Sequence, residues 1–198
     1  MLGNRIALDV MGGDQAPEAT LAGAVLACDP KGKWRLPAER MLLVGDSKAI
    51  GPWLDGHGGN PGFAIAHASE VIGMEESPSQ ALRAKPDNSI SVCVENVRTG
   101  QAGAVVSMGN TGAVVGAATI GLGTLEGVRR PGIAVTLDLT GHPVTILDMG
   151  ANIVPKAQHL AQYALMGAIY MRDCLAVRDP RVALLNIGEE RGKGTDLL

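Results

Sequence analysis

The sequence predicts an α/β protein: a three-layer Rossmann-like sandwich with a mixed, mostly parallel central sheet, truncated at its C-terminus. Three observations lead there. Short aliphatic runs alternate along the chain with segments of helical spacing, the pattern that builds parallel sheets covered by helices. Three of those runs end in glycine and polar clusters, at Asp9 to Asp14, Ser107 to Thr111 and Asp148 to Asn152. Glycine makes up 27 of 198 residues, while aromatics are only 3% of a chain that is 46% hydrophobic. A core of this composition is aliphatic, with closely approaching backbones.

Residues 6–10 form a short strand ending in glycines, and after Pro17 the small residues 18–27 suit a helix. A second strand at 41–44 stops at Gly45 and Asp46, and a third at 63–67 leads into the polar stretch 70–80. Helical spacing returns at 89–98, before a buried-looking strand at 104–107. The helix predicted at 111–122 is apolar all round and therefore central. Residues 133–139 and 144–149 flank Thr140, Gly141, His142 and Pro143, which favours an antiparallel hairpin and hence a mixed sheet. Pro155 opens a long amphipathic helix closed by Arg172 and Asp173, and residues 182–187 are the last predicted strand. No helix follows to cover that strand, so the chain reads as one incomplete domain over 1–198. The only linker-like stretch is 55–62.

The net charge of −3, with Lys and Arg scattered, offers no cationic field for a nucleic acid. Cys28, Cys93 and Cys174 are widely spaced, without CxxC, and read as reduced structural thiols of a cytoplasmic protein. The N-terminus lacks the apolar stretch of a secretory signal, and the longest apolar run, 113–125, is too short to span a bilayer. No metal is expected, because His57, His67, His142 and His159 show no paired ligand spacing; His159, on a polar helix face, reads as solvated.

The segment Ser107-Met108-Gly109-Asn110-Thr111-Gly112-Ala113 follows a strand and opens a helix. Exposed backbone donors, a helix dipole and three side-chain hydrogen-bonders there suit an anion, although Asn110 or Thr111 could simply cap the helix. Asp9, Gly12, Gly13 and Asp14 form a weaker signal, open equally to turn chemistry and to orienting hydroxyls or a cation. Asn152 can cap the helix near Pro155, while Asp148 has no such explanation. Residues 188–195 fail as a phosphate-binding P-loop, because three rather than four residues separate the glycines and Gly194 follows Lys193. Lys193 can still supply charge to a phosphate or acyl oxygen. Ser107 is not a nucleophile elbow, since Val105 stands where glycine is required. Gly112 and Gly116 form a GxxxG spacing, read here as close helix packing.

Taken together, the segments IALDVMGGDQAPEATLAGA, VIGMEESPSQALRAKPDNSI, SMGNTGAVVGAATIGLG, LDMGANIVPKAQHLAQYALMGAIYM and LLNIGEERGKG closely resemble the bacterial phosphate acyltransferase family of phospholipid synthesis. The resemblance covers almost the whole chain in order. Met108, where the family commonly has a small residue, and residues 153–155 depart from it, and the family chain continues past Leu198. The resemblance implies transfer of a fatty acyl group from acyl carrier protein to inorganic phosphate, without a cofactor. It further implies a homodimer with peripheral membrane association. On this reading Asn110 and Lys193 are catalytic. Ser107, Gly109, Thr111 and Gly112 bind phosphate, and Asp9, Gly12, Gly13, Asp14, Asp148 and Asn152 shape the site. The alternatives are a phosphotransacetylase-like or decarboxylating-dehydrogenase-like enzyme, or a non-catalytic binding module for acyl carrier protein. A nicotinamide fingerprint is lacking, since Gly121 and Gly123 have Glu126 where the third glycine belongs. Lys31, Lys33, Arg35 and Arg40 are a modest basic cluster able to meet an acidic carrier, or simply a solvated loop.

Overall fold

The structure is a computed structural model that describes residues 4–139, 141–150 and 155–186. The chain divides into two compact units, Met1–Gly123 and Thr124–Leu198.

The first unit is built on four parallel strands: β1 (Ile6–Asp9), β2 (Met41–Gly45), β3 (Ala64–His67) and β4 (Ala104–Val106). Their order is β3-β2-β1-β4, with Leu8 registered between Leu43 and Val106. Side chains alternate across the pleat. Leu8, Val10 and Leu43 face α1 (Glu18–Ala27) and α2 (Ser47–Gly56), where Leu21, Ile50 and Leu54 complete one aliphatic core. Ala7, Leu42 and Val44 face α4 (Ser89–Arg98), which places Cys93 against them. Each fully buried leucine or isoleucine contributes about 1.5–3 kcal/mol relative to exposure. A third cluster joins α3 (Pro78–Ala84) and α4 to α5 (Thr111–Leu122) through Ala81, Ile90, Val94, Ala113 and Ala117.

Two helices were not foreseen. Helix α2 is capped by Asp46, whose Oδ1 accepts from Lys48 N–H at 3.0 Å, and it contains Pro52. It takes up the first residues of the expected 55–62 linker. Helix α3 occupies part of the polar stretch 70–80 and on to Ala84, with Pro78 in its first turn. A further correction concerns α5. Only Ala113 and Ala117 are buried, and Ile120 is 78% exposed. The helix is apolar all round, yet it uses one face: its glycines bring it against α3 and α4. A Cβ on Gly112 would lie 2.6 Å from Pro78 Cγ, and one on Gly116 would lie 2.8 Å from Leu82 Cδ1.

That difference in neighbours gives a prediction. Gly116→Ala meets the free end of a leucine, which can rotate away, and it gains about 1 kcal/mol of helix propensity. Gly112→Ala meets a proline ring with no comparable escape. Urea unfolding is expected to show Gly116→Ala neutral or slightly stabilised, and Gly112→Ala destabilised by about 1–3 kcal/mol.

In the second unit β5 (Ala134–Leu139) and β6 (His142–Leu147) pair antiparallel as a separate two-stranded sheet. The central sheet is thus parallel throughout among the described residues, and the antiparallel pairing is confined to this hairpin. His142 and Pro143, expected in the turn, belong to β6, where Pro143 lies opposite Asp138. A two-stranded ribbon leaves each strand an open side on which a missing N–H is tolerated. Helix α6 (Ala157–Leu175) packs on β6, and a Cβ on its Gly167 would approach Leu147 Cδ1 to 2.8 Å. His159 is not solvated: it is 7% exposed, and its Nδ1 accepts from Lys156 N–H at 3.2 Å at the start of α6.

The strand expected at 182–187 is also corrected. Residues 182–186 have no strand pairing, and Val182, Leu184 and Leu185 are exposed, Leu185 at 85%. Ile187 lies outside the described residues. An apolar run becomes a strand only where a sheet edge receives its backbone groups. Cys93 is buried, Cys28 half-buried and Cys174 exposed, and all three are free. Burial, followed by the nearby Asp9 charge, pushes the Cys93 thiol far up. Among the described residues no helix is long and apolar enough to cross a membrane.

Candidate functional site

The strand order fixes where a ligand would sit. From β1 the chain moves outward to β2 and β3, then returns across β1 to β4. The direction of winding therefore reverses between β1 and β4. In open parallel sheets the crevice beyond the carboxyl ends at such a reversal is the usual ligand site. Asp9 ends β1 and Ser107 follows β4, so the two glycine clusters read from the sequence flank that crevice.

Their contacts are specific. Asp9 is 0% exposed. Its Oδ1 accepts from Met11 N–H at 3.1 Å, and its Oδ2 accepts from the Ser107 hydroxyl at 2.6 Å. Ser107 Oγ in turn accepts from Gly109 N–H at 3.0 Å. Gly12 makes this possible by bringing the β1 loop onto the turn. A Cβ there would stand 2.3 Å from Asp9 Oδ2 and 2.7 Å from Gly109 N. Gly13 has φ of +105° and lies against Met108, while Thr20 Oγ1 ties the loop to α1 by donating to Val10 O at 2.6 Å. Asp14 is exposed.

Asn110 caps α5: its Oδ1 accepts from Ala113 N–H at 3.1 Å. Its Nδ2 reaches the carbonyls of Gly73, Met74 and Glu76 at 3.0–3.2 Å. Both ends of the amide are therefore occupied by protein groups, and Asn110 is only 7% exposed. One side chain fixes both the start of the helix and the loop beside it. Past the cap, the backbone N–H groups of Thr111 and Gly112 have no acceptor among the described residues. These are first-turn donors at the positive end of the helix dipole, the arrangement that receives an anion.

The loop before α3, a polar stretch inside one of the segments that carry the resemblance, holds none of the expected site residues. Glu76 Oε1 accepts from Gly73 N–H at 2.7 Å and pairs with Lys85, whose ammonium also donates to Val71 O at 2.7 Å. Asn88 caps α4 from beneath, accepting from Ser91 N–H and donating to Lys85 O. The readable signal was Ser77-Pro78, a helix start; the contacts to Asn110 span 34 to 37 residues and leave no local mark.

The same loop should respond to acid. The Lys85 hydrogen bond, then Gly73 N–H, holds Glu76 below its ordinary value of 4.5. The Ser69 hydroxyl, then its N–H, holds Asp87 below 3.8, and His67 adds a smaller charge effect. Folded values lower than unfolded ones mean that these contacts stabilise above the ordinary values and fade as pH falls through the folded ones. Amide exchange, corrected for its intrinsic pH dependence, is expected to accelerate at Gly73 as pH drops below 4.5 and at Ser69 as it drops below 3.8, before the β1 amides open.

Asp148 lies in the second unit, just past β6, with φ of +63° and its N–H donating to Ile133 O at 2.8 Å. Its Oδ1 is buried and has no hydrogen-bond partner among the described residues. Burial first, then the Asp148 charge, raises the Tyr163 hydroxyl, and Arg130 opposes that rise. Asn152 and Lys193 lie outside the described residues. Among the described residues no group of His, Cys, Asp and Glu is placed to hold a metal ion.

A family model described as fatty acid synthesis protein matches residues 4–198. The chain belongs to that family. The chain is also similar to curated proteins named phosphate acyltransferase. A phosphate acyltransferase of Gloeothece citriformis is 44% identical over 195 residues, which are 98% of this chain and 54% of that protein. One of a Synechococcus species is 46% identical, over 98% of this chain and 51% of its own length. A third, of Thermosynechococcus vestitus, is 45% identical, over 98% and 55%. The chain spans about half the length of the curated relatives it matches.

Proposed function

We propose that this protein acts as a phosphate acyltransferase, moving a fatty acyl group from acyl carrier protein to inorganic phosphate to give acyl phosphate for phospholipid synthesis. The observation that carries this reading is the pair of unused N–H groups of Thr111 and Gly112 at the sheet's reversal point. The names of the similar proteins, phosphate acyltransferase, support acyl transfer involving phosphate, and the sequence resemblance adds acyl carrier protein as the donor.

The chemistry asks little of side chains. Phosphate is already an anionic nucleophile, and a thioester has a good leaving group, so position and charge suffice. A phosphate oxygen attacks the thioester carbonyl carbon, the C–S bond breaks, and its electron pair leaves on the carrier sulfur, which takes up a proton. Thr111 and Gly112 hold the anion, aided by the Thr111 hydroxyl. Ser107, Gly109 and Gly12 shape the turn beneath it. Asn110 acts by holding the helix start and the 73–76 carbonyls in place. Gly13 and Asp14 border the crevice, and Asp148 and Asn152 are substrate-binding residues on the resemblance alone. Lys193 offsets charge on phosphate or on the tetrahedral oxygen. Acyl carrier protein is the donor, and the protein works as a cytoplasmic homodimer that meets the membrane face peripherally.

Trapping acyl phosphate with hydroxylamine tests the reading. The protein and a full-length relative, given acyl carrier protein thioester and phosphate, are expected to yield hydroxamate, and Lys193→Ala is expected to lose most of it. Full yield from Lys193→Ala removes the role of that residue. No hydroxamate from either wild-type protein removes the reaction.

A further inference from the structure

The Ser107 hydroxyl has one hydrogen and two lone pairs. Its hydrogen is committed to Asp9 Oδ2 at 2.6 Å, and one lone pair receives Gly109 N–H at 3.0 Å. The other lone pair has no partner among the described residues. Anything else that reaches this oxygen must therefore donate a hydrogen. The arrangement is imposed from below: Asp9 is fully buried, and Met11 N–H fixes its other oxygen. The carboxylate also lies directly under the turn, with Oδ2 only 3.2 Å from where a Cβ on Gly109 would be.

We propose that Asp9 is a positioning residue that holds Ser107 as a pure acceptor, so that the turn selects an anion carrying its own proton, a hydrogen phosphate, over a fully ionised oxyanion such as sulfate. This rests on the reading of the turn as a phosphate site. A P–OH group can satisfy the spare lone pair of Ser107. Sulfate at neutral pH carries no proton, so it would set an oxygen against that lone pair, above a buried negative charge. The same contact sorts the oxygens of one phosphate. The protonated oxygen is held at Ser107, which leaves ionised ones for the Thr111 and Gly112 N–H groups and for attack on the thioester. Asp9 never touches the ligand; its effect passes through Ser107.

Asp9→Asn inverts the arrangement at nearly constant shape. Met11 N–H keeps the amide oxygen on its side, which turns the amide nitrogen toward Ser107 as a donor and frees the hydroxyl hydrogen to point at the anion. Titration calorimetry with inorganic phosphate and with sulfate, on wild type, Asp9→Asn, Ser107→Ala and the double variant, tests this. Wild type is expected to prefer phosphate by about tenfold or more, and Asp9→Asn to bring the ratio near unity. Ser107→Ala and the double variant are expected to share one ratio. A ratio unchanged in Asp9→Asn overturns the proposal, as does a shift by Asp9→Asn that persists without Ser107. If wild type binds neither anion, the phosphate reading of the turn fails and the selectivity fails with it. The positioning role is then judged on Gly109 amide exchange: loss of protection in Asp9→Ala equal to that in Ser107→Ala upholds it, and protection kept in Asp9→Ala ends it.

Discussion

Replacing Gly12 with alanine is expected to be among the most damaging single-methyl changes in this protein. The added carbon would sit 2.3 Å from Asp9 Oδ2, 2.7 Å from Gly109 N and 2.9 Å from Gly109 Cα. None of these is the free end of a flexible chain. One is a buried carboxylate held on both oxygens, and the others are backbone of the opposing turn. Relief requires the β1 loop and the Ser107 turn to separate, which would break the hydrogen bonds from Ser107 to Asp9 and from Gly109 to Ser107. The expected loss is about 3 kcal/mol or more, in the range of overpacking combined with a disrupted buried polar network. Gly23→Ala, in α1 with nothing within 4 Å of the new carbon, is the matched control. It is expected to be neutral or stabilising by up to about 1 kcal/mol. Urea midpoints measured side by side check both, and equal stability of the two variants would contradict the packing argument.

The second large effect is expected at Asn110. Alanine removes the α5 cap, worth about 0.5–2 kcal/mol, and strands the carbonyls of Met74 and Glu76, while Gly73 O keeps only Glu76 N–H. Together these are expected to destabilise by about 2–4 kcal/mol. Asn110→Asp separates the two parts. Aspartate can still accept from Ala113 N–H, so the helix start is retained, but it turns an acceptor toward three carbonyls. Exchange at the α5 amides is therefore expected to stay slow in Asn110→Asp and to quicken in Asn110→Ala. The 73–76 loop should open in both. A loop undisturbed in Asn110→Asp would show that the amide nitrogen does not hold it.

The elements that could be read from the sequence are those whose signals are local. The strand at 6–10 and the helices at 18–27, 89–98 and 111–122 announced themselves by aliphatic runs, small residues and glycine stops, and they match β1, α1, α4 and α5. Helix α2 hid behind Pro52 and Gly51, although Asp46 was a serviceable cap. Helix α3 has only seven residues, too few to show a period, inside a stretch rich in charge. The run at 182–186 failed in the opposite direction, since apolar character cannot supply a pairing edge. At the site, the Ser107 turn was legible because strand, glycine and cap are adjacent in the chain. The bond from Ser107 to Asp9 joins residues 98 apart, and the clamp from Asn110 reaches back to the loop before α3. Such contacts follow from the winding reversal between β1 and β4, which no short window contains.

The central claim is that phosphate is the acyl acceptor at this turn. Free carrier thiol should be followed after mixing the protein with a long-chain acyl carrier protein thioester, with and without inorganic phosphate. The account predicts thiol release that depends on phosphate and saturates with it. Release at the same rate without phosphate, or none with it, would contradict the account.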